Sequence, residues 1–215
     1  MGAGRNKAFL PLGGRPMLAW SLSLFQASAE VDLVLLVVAE GDLAESERLV
    51  LAERAAKVKQ VVQGGATRQE SEWIGLGAAR RHMDQDAVVL VHDAARPFPP
   101  ASRLPALVAA ARRGGAILAV PASRAVVAAR DGMVAGYPGD LWAAQTPQAF
   151  ILRRILQAHE RARGAGFAAT DTAAVYEWGG GSVRVVEGSA ENVKVTTPAD
   201  LALAEAIAAR RGPRS

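Results

Sequence analysis

The chain has no cysteine among its 215 residues. A disulfide framework and thiolate metal sites are therefore excluded, and the composition agrees with a reducing, cytoplasmic location. Aromatic residues are scarce, at 5% against 50% hydrophobic, so the core has to be built from alanine, valine and leucine. No apolar run approaches the ~20 residues needed to span a bilayer. The longest, around residues 31–39, is strand-sized. Arg5, Lys7 and Pro11 interrupt the N-terminus, unlike a secretory signal. No basic run is interleaved with aromatics, so nucleic acid is not an expected partner despite a net charge of +4. Lysine is also rare. Lys7, Lys57, Lys59 and Lys194 are the only four, in a chain rich in arginine.

The length fits one α/β domain, and neither an internal repeat nor a dividing linker is visible. Helical and strand patterns alternate. Helices are expected over residues 16–29, 42–56, 68–82, 102–113, 149–163, 172–178 and 198–210. Buried strands are expected at 31–39 (VDLVLLVVA), 58–62, 87–92 (AVVLVH) and 116–120 (AILAV), with later strands at 183–187 and 193–196. Ser102 is a candidate helix cap, and Arg210, Arg211 and Arg214 read as a frayed tail. Runs at 125–129 and 133–136 flank Arg130-Asp131-Gly132, a hairpin signal. The expected architecture is a doubly wound, mostly parallel, Rossmann-like sheet with a projecting β-hairpin arm. Ligands of such sheets sit beyond the carboxyl ends of the strands. A sheet of this kind opens with a strand and a glycine loop, whereas this chain opens on a loop and a helix.

The motifs that follow buried strands carry the chemistry. Asp93, in HDAARP at residues 92–97, stands at a strand end, where a carboxylate can hold Mg2+ bridging nucleotide phosphates; alone it could equally cap a turn. His92 reads as structural, because no serine or cysteine nucleophile accompanies it. Arg96 reads as able to pin the loop. Gly64, Gly65 and Ala66 open a turn in which backbone can approach a ligand, with Thr67 as a helix cap and Ser71 able to meet a base edge. Lys7 and Lys194 are compact charges suited to phosphate. Thr146-Pro147-Gln148 reads as a turn leading into a helix, and Thr170-Asp171 as a cap or a polar pair reaching a site.

Together these segments resemble the 2-C-methyl-D-erythritol 4-phosphate cytidylyltransferase family. The matches are N-K-A-F-L-P-L-G-G-R-P at 6–16, G-G-A-T-R-Q-E-S at 64–71, H-D-A-A-R-P at 92–97, Q-T-P-Q at 145–148, T-D at 170–171, and V-E-G with E-N-V-K-V-T-T-P-A-D-L-A-L-A-E between 185 and 205. They occur in family order over nearly the whole chain. The resemblance implies a single-domain nucleotidyltransferase spanning residues 1–215, with CTP and a small polyol phosphate as substrates and Mg2+ as cofactor. It implies that Lys7 and Lys194 stabilise charge on the α-phosphate and that Asp93 holds the metal. By the same resemblance Gly64, Gly65, Ala66, Ser71 and Ala94 bind the nucleotide, and Arg96, Arg124, Thr146 and Thr170 face the acceptor. The arm, about residues 121–141, would form a homodimer.

The chain departs from the family in three places. The family begins with a strand and a loop like A-A-G-x-G-x-R-M, and Met1 aligns with the last Met of that loop. That alignment fits a misplaced start or a catalytically silent chain, and the expectation is the former. Arg124-Ala125 stands where an Asp-Thr pair contacts the acceptor, and Pro138 where the arm usually carries an arginine. These last two changes leave room for another polyol phosphate, such as ribitol 5-phosphate. A nucleotidyltransferase of another base and a silent nucleotide-binding homodimer are the other readings.

Overall fold

The computed structural model describes residues 6–122 and 126–212. A short ribbon, β1 (Pro11–Leu12) with β2 (Arg15–Pro16), leads into helix α1 (Met17–Ala27). Next come β3 (Val34–Val38), α2 (Leu43–Ala52), β4 (Val58–Gln63), α3 (Arg68–Ala79), β5 (Val88–Val91), α4 (Leu104–Ala111) and β6 (Gly115–Pro121). The arm consists of β7 (Ala128–Arg130) and β8 (Met133–Gly136). The chain then forms β9 (Trp142–Ile151), α5 (Leu152–Gly164), α6 (Thr172–Trp178), β10 (Val183–Glu187) and α7 (Pro198–Arg211).

Helices cover both faces of an α/β sheet, and the strand side chains alternate between them. Val88 and Leu90 of β5 pack with Leu107 and Ala110 of α4. Val89 and Val91, one residue out of phase, pack with Leu76 of α3, Ile155 of α5 and Val175 of α6. On β3, Leu36 meets Leu18 of α1 and Leu49 of α2, while Leu35 turns to the α3 side. A sheet buried this way on both faces reads as a continuous aliphatic run.

The order β10-β6-β9-β5 has parallel pairing between β10 and β6 but antiparallel pairing on both edges of β9. β3 and β4 form a separate parallel pair. Among the described residues the sheet is therefore in two pieces. The carboxyl ends of β3, β4 and β5 still meet. Gly64 N donates to Val38 O at 2.8 Å, and Ala94 packs in the cluster that holds Val38. Between β3 and β5 lies a cavity of about 810 Å3.

Five expectations are corrected. Residues 149–151 are not helical but end the strand β9, and α5 starts only at Leu152. The turn expected at Thr146-Pro147-Gln148 is the middle of that strand. Ser102 lies in a 3-10 turn, Ala101–Arg103, and α4 begins at Leu104 without a side-chain cap. Residues 193–196 form no strand, because Val195 N to Ala95 O, at 2.8 Å, is their backbone link to a neighbour and no ladder follows. Arg210 and Arg211 belong to α7 and both reach the Glu191 carboxylate, at 2.8 and 2.7 Å. Arg214 lies outside the described residues. At the other end of α7, Thr197 and Asp200 make a reciprocal capping box with Pro198 in the first turn. The arm turns through Asp131 and Gly132, both at positive φ, 50° and 78°. That is the backbone an Asp-Gly hairpin requires. Ala125 of the expected first arm strand lies outside the described residues.

Candidate functional site

The site grows from an irregularity in β9. Ile117 pairs with Gln148 but Leu118 with Gln145, so Thr146 and Pro147 are extra residues opposite β6. On the other edge, pairing with β5 stops at Val91 and Gln148. Proline has no N–H to give a ladder, and the bulge removes it from both. The same bulge brings the Thr146 hydroxyl to the end of β5. Asp93 N donates to Thr146 Oγ1 at 3.0 Å, and Thr146 Oγ1 lies 3.1 Å from His92 Nδ1. His92 Nε2 lies 2.9 Å from the Arg96 carbonyl oxygen. A carbonyl only accepts, so Nε2 carries the proton and Nδ1 accepts from the threonine. Burial pushes the His92 pKa down to about 4, which keeps this chain of hydrogen bonds neutral at the imidazole.

Asp93 stands between two cations. Its Oδ2 meets Lys194 Nζ at 2.9 Å and its Oδ1 meets Arg68 Nε at 3.4 Å. Burial opposes ionisation of the carboxyl. The Lys194 hydrogen bond and the nearby positive charges outweigh it and hold the group below the usual carboxylate range. Arg68, the first residue of α3, also pairs with Glu72 at 2.9 Å. Lys7 Nζ donates to Thr196 O at 3.1 Å, two residues beyond Lys194. Lys194 thus meets Asp93 from the opposite end of the chain, and Lys7 binds the backbone of the segment that carries Lys194.

The glycine turn lies beside them, between β4 and α3. Thr67 caps α3 by accepting from Glu70 N at 3.1 Å. Ser71 Oγ accepts from Gly65 N at 3.1 Å and reaches Thr67 O at 2.9 Å, so its hydroxyl braces the turn. A Cβ on Gly64 would come within 2.6 Å of that hydroxyl, so the position suits glycine. Ala66 N donates to Glu70 Oε2 at 2.9 Å. Ala94 packs against the cluster of Phe9 and Leu36.

Behind the charges, a buried amide network fixes the Lys194 segment. Asn192, fully buried, donates to Thr146 O at 2.9 Å and Gln145 Oε1 at 3.2 Å. Gln145 donates to Ser189 O at 2.8 Å. Arg96 donates to Asn192 O at 2.7 Å and Ala144 O at 3.2 Å, so it clamps two backbone segments together. Thr170 is exposed. Its loop is held by Gln69, which bonds Phe167 O and Ala169 N, and by Gln148, which donates to Asp171 Oδ2 at 2.8 Å. Asp171 itself caps α6. Arg124 lies outside the described residues.

The sequence reading missed Arg68, Gln69, Gln145 and Asn192 as working parts of the site. All four lie inside the quoted motifs. Polar residues within an apolar stretch, such as Gln145 and Gln148, were the available signal. Among the described residues no group of three or more metal-ligating side chains converges. A single carboxylate, Asp93, does suit Mg2+, which keeps its waters and binds one or two carboxylates plus substrate phosphates. Arg68 and Lys194 occupy the oxygens that such an ion would take.

Comparison with known proteins gives a consistent result. The family described as IspD, 2-C-methyl-D-erythritol 4-phosphate cytidylyltransferase, matches residues 1–210. A protein of that name from Halalkalibacterium halodurans is 42% identical over 217 residues, covering 100% of this chain and 93% of its own. The crystal structure of 2-C-methyl-D-erythritol 4-phosphate cytidylyltransferase from Thermus thermophilus superposes with a TM-score of 0.78 at 35% identity, covering 94% of each chain. The 4-diphosphocytidyl-2C-methyl-D-erythritol synthase of Anaerococcus prevotii gives a TM-score of 0.84 at 28% identity, over 96% of this chain and 91% of that one.

Proposed function

This chain belongs to the 2-C-methyl-D-erythritol 4-phosphate cytidylyltransferase family, and on that premise we propose that the rim formed by Lys7, Asp93 and Lys194 is where the cytidylyl group is transferred. The chain is a nucleotidyltransferase acting on CTP and 2-C-methyl-D-erythritol 4-phosphate in isoprenoid precursor synthesis. An oxygen of the acceptor phosphate attacks the α-phosphorus of CTP in line. A new P–O bond forms, the bond to the β-phosphate oxygen breaks, and pyrophosphate leaves with the electron pair. A phosphate monoester is largely a dianion near neutral pH, with a second pKa of about 6. The attack therefore needs no strong base, and His92, with both ring nitrogens engaged, offers none. Catalysis then consists of positioning and charge neutralisation.

The observation that carries this reading is the pairing of Lys194 and Arg68 with one anionic carboxylate, Asp93, at the strand ends beside the Gly64–Ala66 turn, with Lys7 bonded to the same C-terminal segment at Thr196 O. Asp93 would hold Mg2+, whose charge offsets that of the phosphates. Lys7 and Lys194 stabilise the α-phosphate oxygens. Gly64, Gly65, Ala66, Ser71 and Ala94 accept the nucleotide, and Thr170 faces the acceptor, with Thr146 behind Asp93. We also read the chain as a cytoplasmic homodimer built through the arm. Met133, Val134, Tyr137 and Trp142 are exposed there at 74%, 56%, 78% and 46%, the kind of apolar patch that marks an interface. Among the described residues no helix is long and apolar enough to cross a membrane.

The direct test is pyrophosphate release with Mg2+ and 2-C-methyl-D-erythritol 4-phosphate, comparing CTP with UTP, ATP and GTP. Release with CTP, abolished by chelating the metal, is expected. Equal turnover with another nucleotide, or turnover of ribitol 5-phosphate alone, would overturn the substrate assignment.

A further inference from the structure

Arg68 is shared between two carboxylates. Its Nη2 meets Glu72 Oε1 at 2.9 Å, one turn further along α3, and its Nε meets Asp93 Oδ1 at 3.4 Å. Residues four apart lie on the same face of a helix, so Arg68 and Glu72 move as one body with α3. Asp93 belongs to the end of β5.

The two contacts are unequal. Asp93 has a second cation, since Lys194 holds its Oδ2 at 2.9 Å. Glu72 has no cation other than Arg68 among the described residues. Its side chain is 8% exposed, against 17% for that of Asp93. Its Oε2 faces Nε2 of the fully buried His159 of α5 at 3.7 Å, beyond hydrogen-bond reach. Burial holds the His159 pKa at about 4, so the imidazole is neutral and offers no counter-charge. Burial also pushes the Glu72 carboxyl up, with the Asp93 and Asp171 charges adding to the effect, and Arg68 is the cation that offsets it. Stripping a buried carboxylate of its one cation is strongly unfavourable, whereas a more exposed one that keeps a lysine loses little. Pulled from both sides, the guanidinium therefore gives up Asp93 and keeps Glu72. The longer contact is the one to Asp93, as this asymmetry requires.

The asymmetry bears on how Asp93 could take a divalent cation. Both of its oxygens are engaged. Lys194 makes the shorter ion pair, at Oδ2, while Oδ1 is held at 3.4 Å by a side chain with a better partner. Oδ1 is the oxygen to release, and Glu72 is what makes its release easy.

We propose that Glu72 is a positioning residue: it anchors Arg68 from the buried side, so that the guanidinium covers Asp93 Oδ1 and yields it to a divalent cation while staying fixed to α3. The inference deepens the function proposed above and rests on the metal role given there to Asp93. Arg68 opens α3 directly after the Thr67 cap, so an anchored guanidinium also leaves the glycine turn undisturbed when Asp93 is released.

The test follows the Arg68 side chain by nitrogen NMR in the whole chain as Mg2+ is added without nucleotide. Its Nη groups rotate slowly only while an ion pair holds them, and its signals are identified by their absence from Arg68→Lys. In the wild type slow rotation is expected to persist throughout, while the Nε–H signal shifts as Oδ1 is released. In Glu72→Gln the midpoint of that shift should move to roughly threefold more Mg2+ or beyond, with the Nη groups rotating freely at saturation. Glu72→Met, which fills the same space without a polar group, takes its place if the glutamine variant folds poorly. Equal midpoints in wild type and variant would overturn the proposal, as would wild-type Nη groups set free by Mg2+. Asp93→Asn separates the anchor from the metal assignment. A response lost in Asp93→Asn but unaltered by Glu72→Gln refutes the anchor alone. A response that survives Asp93→Asn, or none in any form, removes the metal from Asp93 and the role of the anchor with it.

Discussion

Replacing Thr146 tests whether the bulge in β9 organises the site as the geometry requires. The side chain is 3% exposed. Its hydroxyl accepts from Asp93 N and donates to His92 Nδ1. Thr146→Val keeps the shape and removes both bonds. A buried polar group left without a partner costs about 1–3 kcal/mol. The His92 nitrogen loses its donor inside the protein, while Asp93 N lies nearer solvent, so the expected loss is about 2–4 kcal/mol. Thr146→Ser keeps the hydroxyl and removes one methyl, at about 1 kcal/mol. The order of stability should therefore be wild type, then serine, then valine.

Urea unfolding followed by circular dichroism measures this directly, as a shift in midpoint at unchanged slope. In a chain of this length each kcal/mol corresponds to roughly 2–4 °C in Tm. A valine variant as stable as the serine variant would refute the hydrogen-bond chain. A second background locates the effect. With His92→Phe in place, the valine substitution no longer strands an acceptor, and its cost should fall by about 1–2 kcal/mol. Strict additivity of the two substitutions would show that Thr146 and His92 do not share a bond.

The remaining predictions concern charge. Lys194→Met and Lys7→Met should each lower kcat for pyrophosphate release by roughly 100-fold or more, with Tm nearly unchanged for the exposed Lys7 and only modestly lowered for Lys194, whose partner Asp93 keeps Arg68. A loss of folding in step with activity would count against a catalytic role. The second prediction is a pH dependence of stability. His92 and His159 are both held at about 4 by burial, with the Arg68 charge adding to the effect at His159, against an ordinary value of 6.5. The unfolded chain takes up these protons near 6.5 and the folded chain only near 4, so between those values the unfolded state binds more protons. Stability should be full above about pH 6.5 and fall as pH drops towards 4. A urea midpoint that stays constant from about pH 7 to pH 5 would contradict the burial of neutral imidazoles.

The sequence made the layers legible because strands buried on both faces are written as unbroken aliphatic runs. VDLVLLVVA and AILAV could be assigned without knowing their neighbours. β9 could not, because Gln145, Thr146, Pro147 and Gln148 interrupt it with residues that oppose a regular strand. Those residues are tolerated because the bulge lifts Thr146 and Pro147 out of the ladder and the amides bond to Asn192, Ser189 and Asp171. All of these contacts are distant in sequence. The site shows the same division. Motif position after a strand pointed to Asp93 and to the Gly64–Ala66 turn. It could not tell that Arg96 clamps two carbonyls, that Ser71 braces its own loop, or that Arg210 and Arg211 reach back to Glu191. Those partners are chosen by the fold.

The division of the sheet bears on how the site works. Asp93, Thr146 and the Lys194 segment stand on the four-stranded piece, whereas the Gly64–Ala66 turn follows the β3–β4 pair. Their shared contacts are side chains and helices, chiefly Arg68 reaching Asp93 and α3 packing on both pieces. A site that straddles a seam is only as well positioned as the seam is rigid, and charge stabilisation decays when groups drift by an ångström. Arg68, which reaches from α3 to Asp93, therefore bears on the geometry of the glycine turn and of the Asp93 and Lys194 segment together.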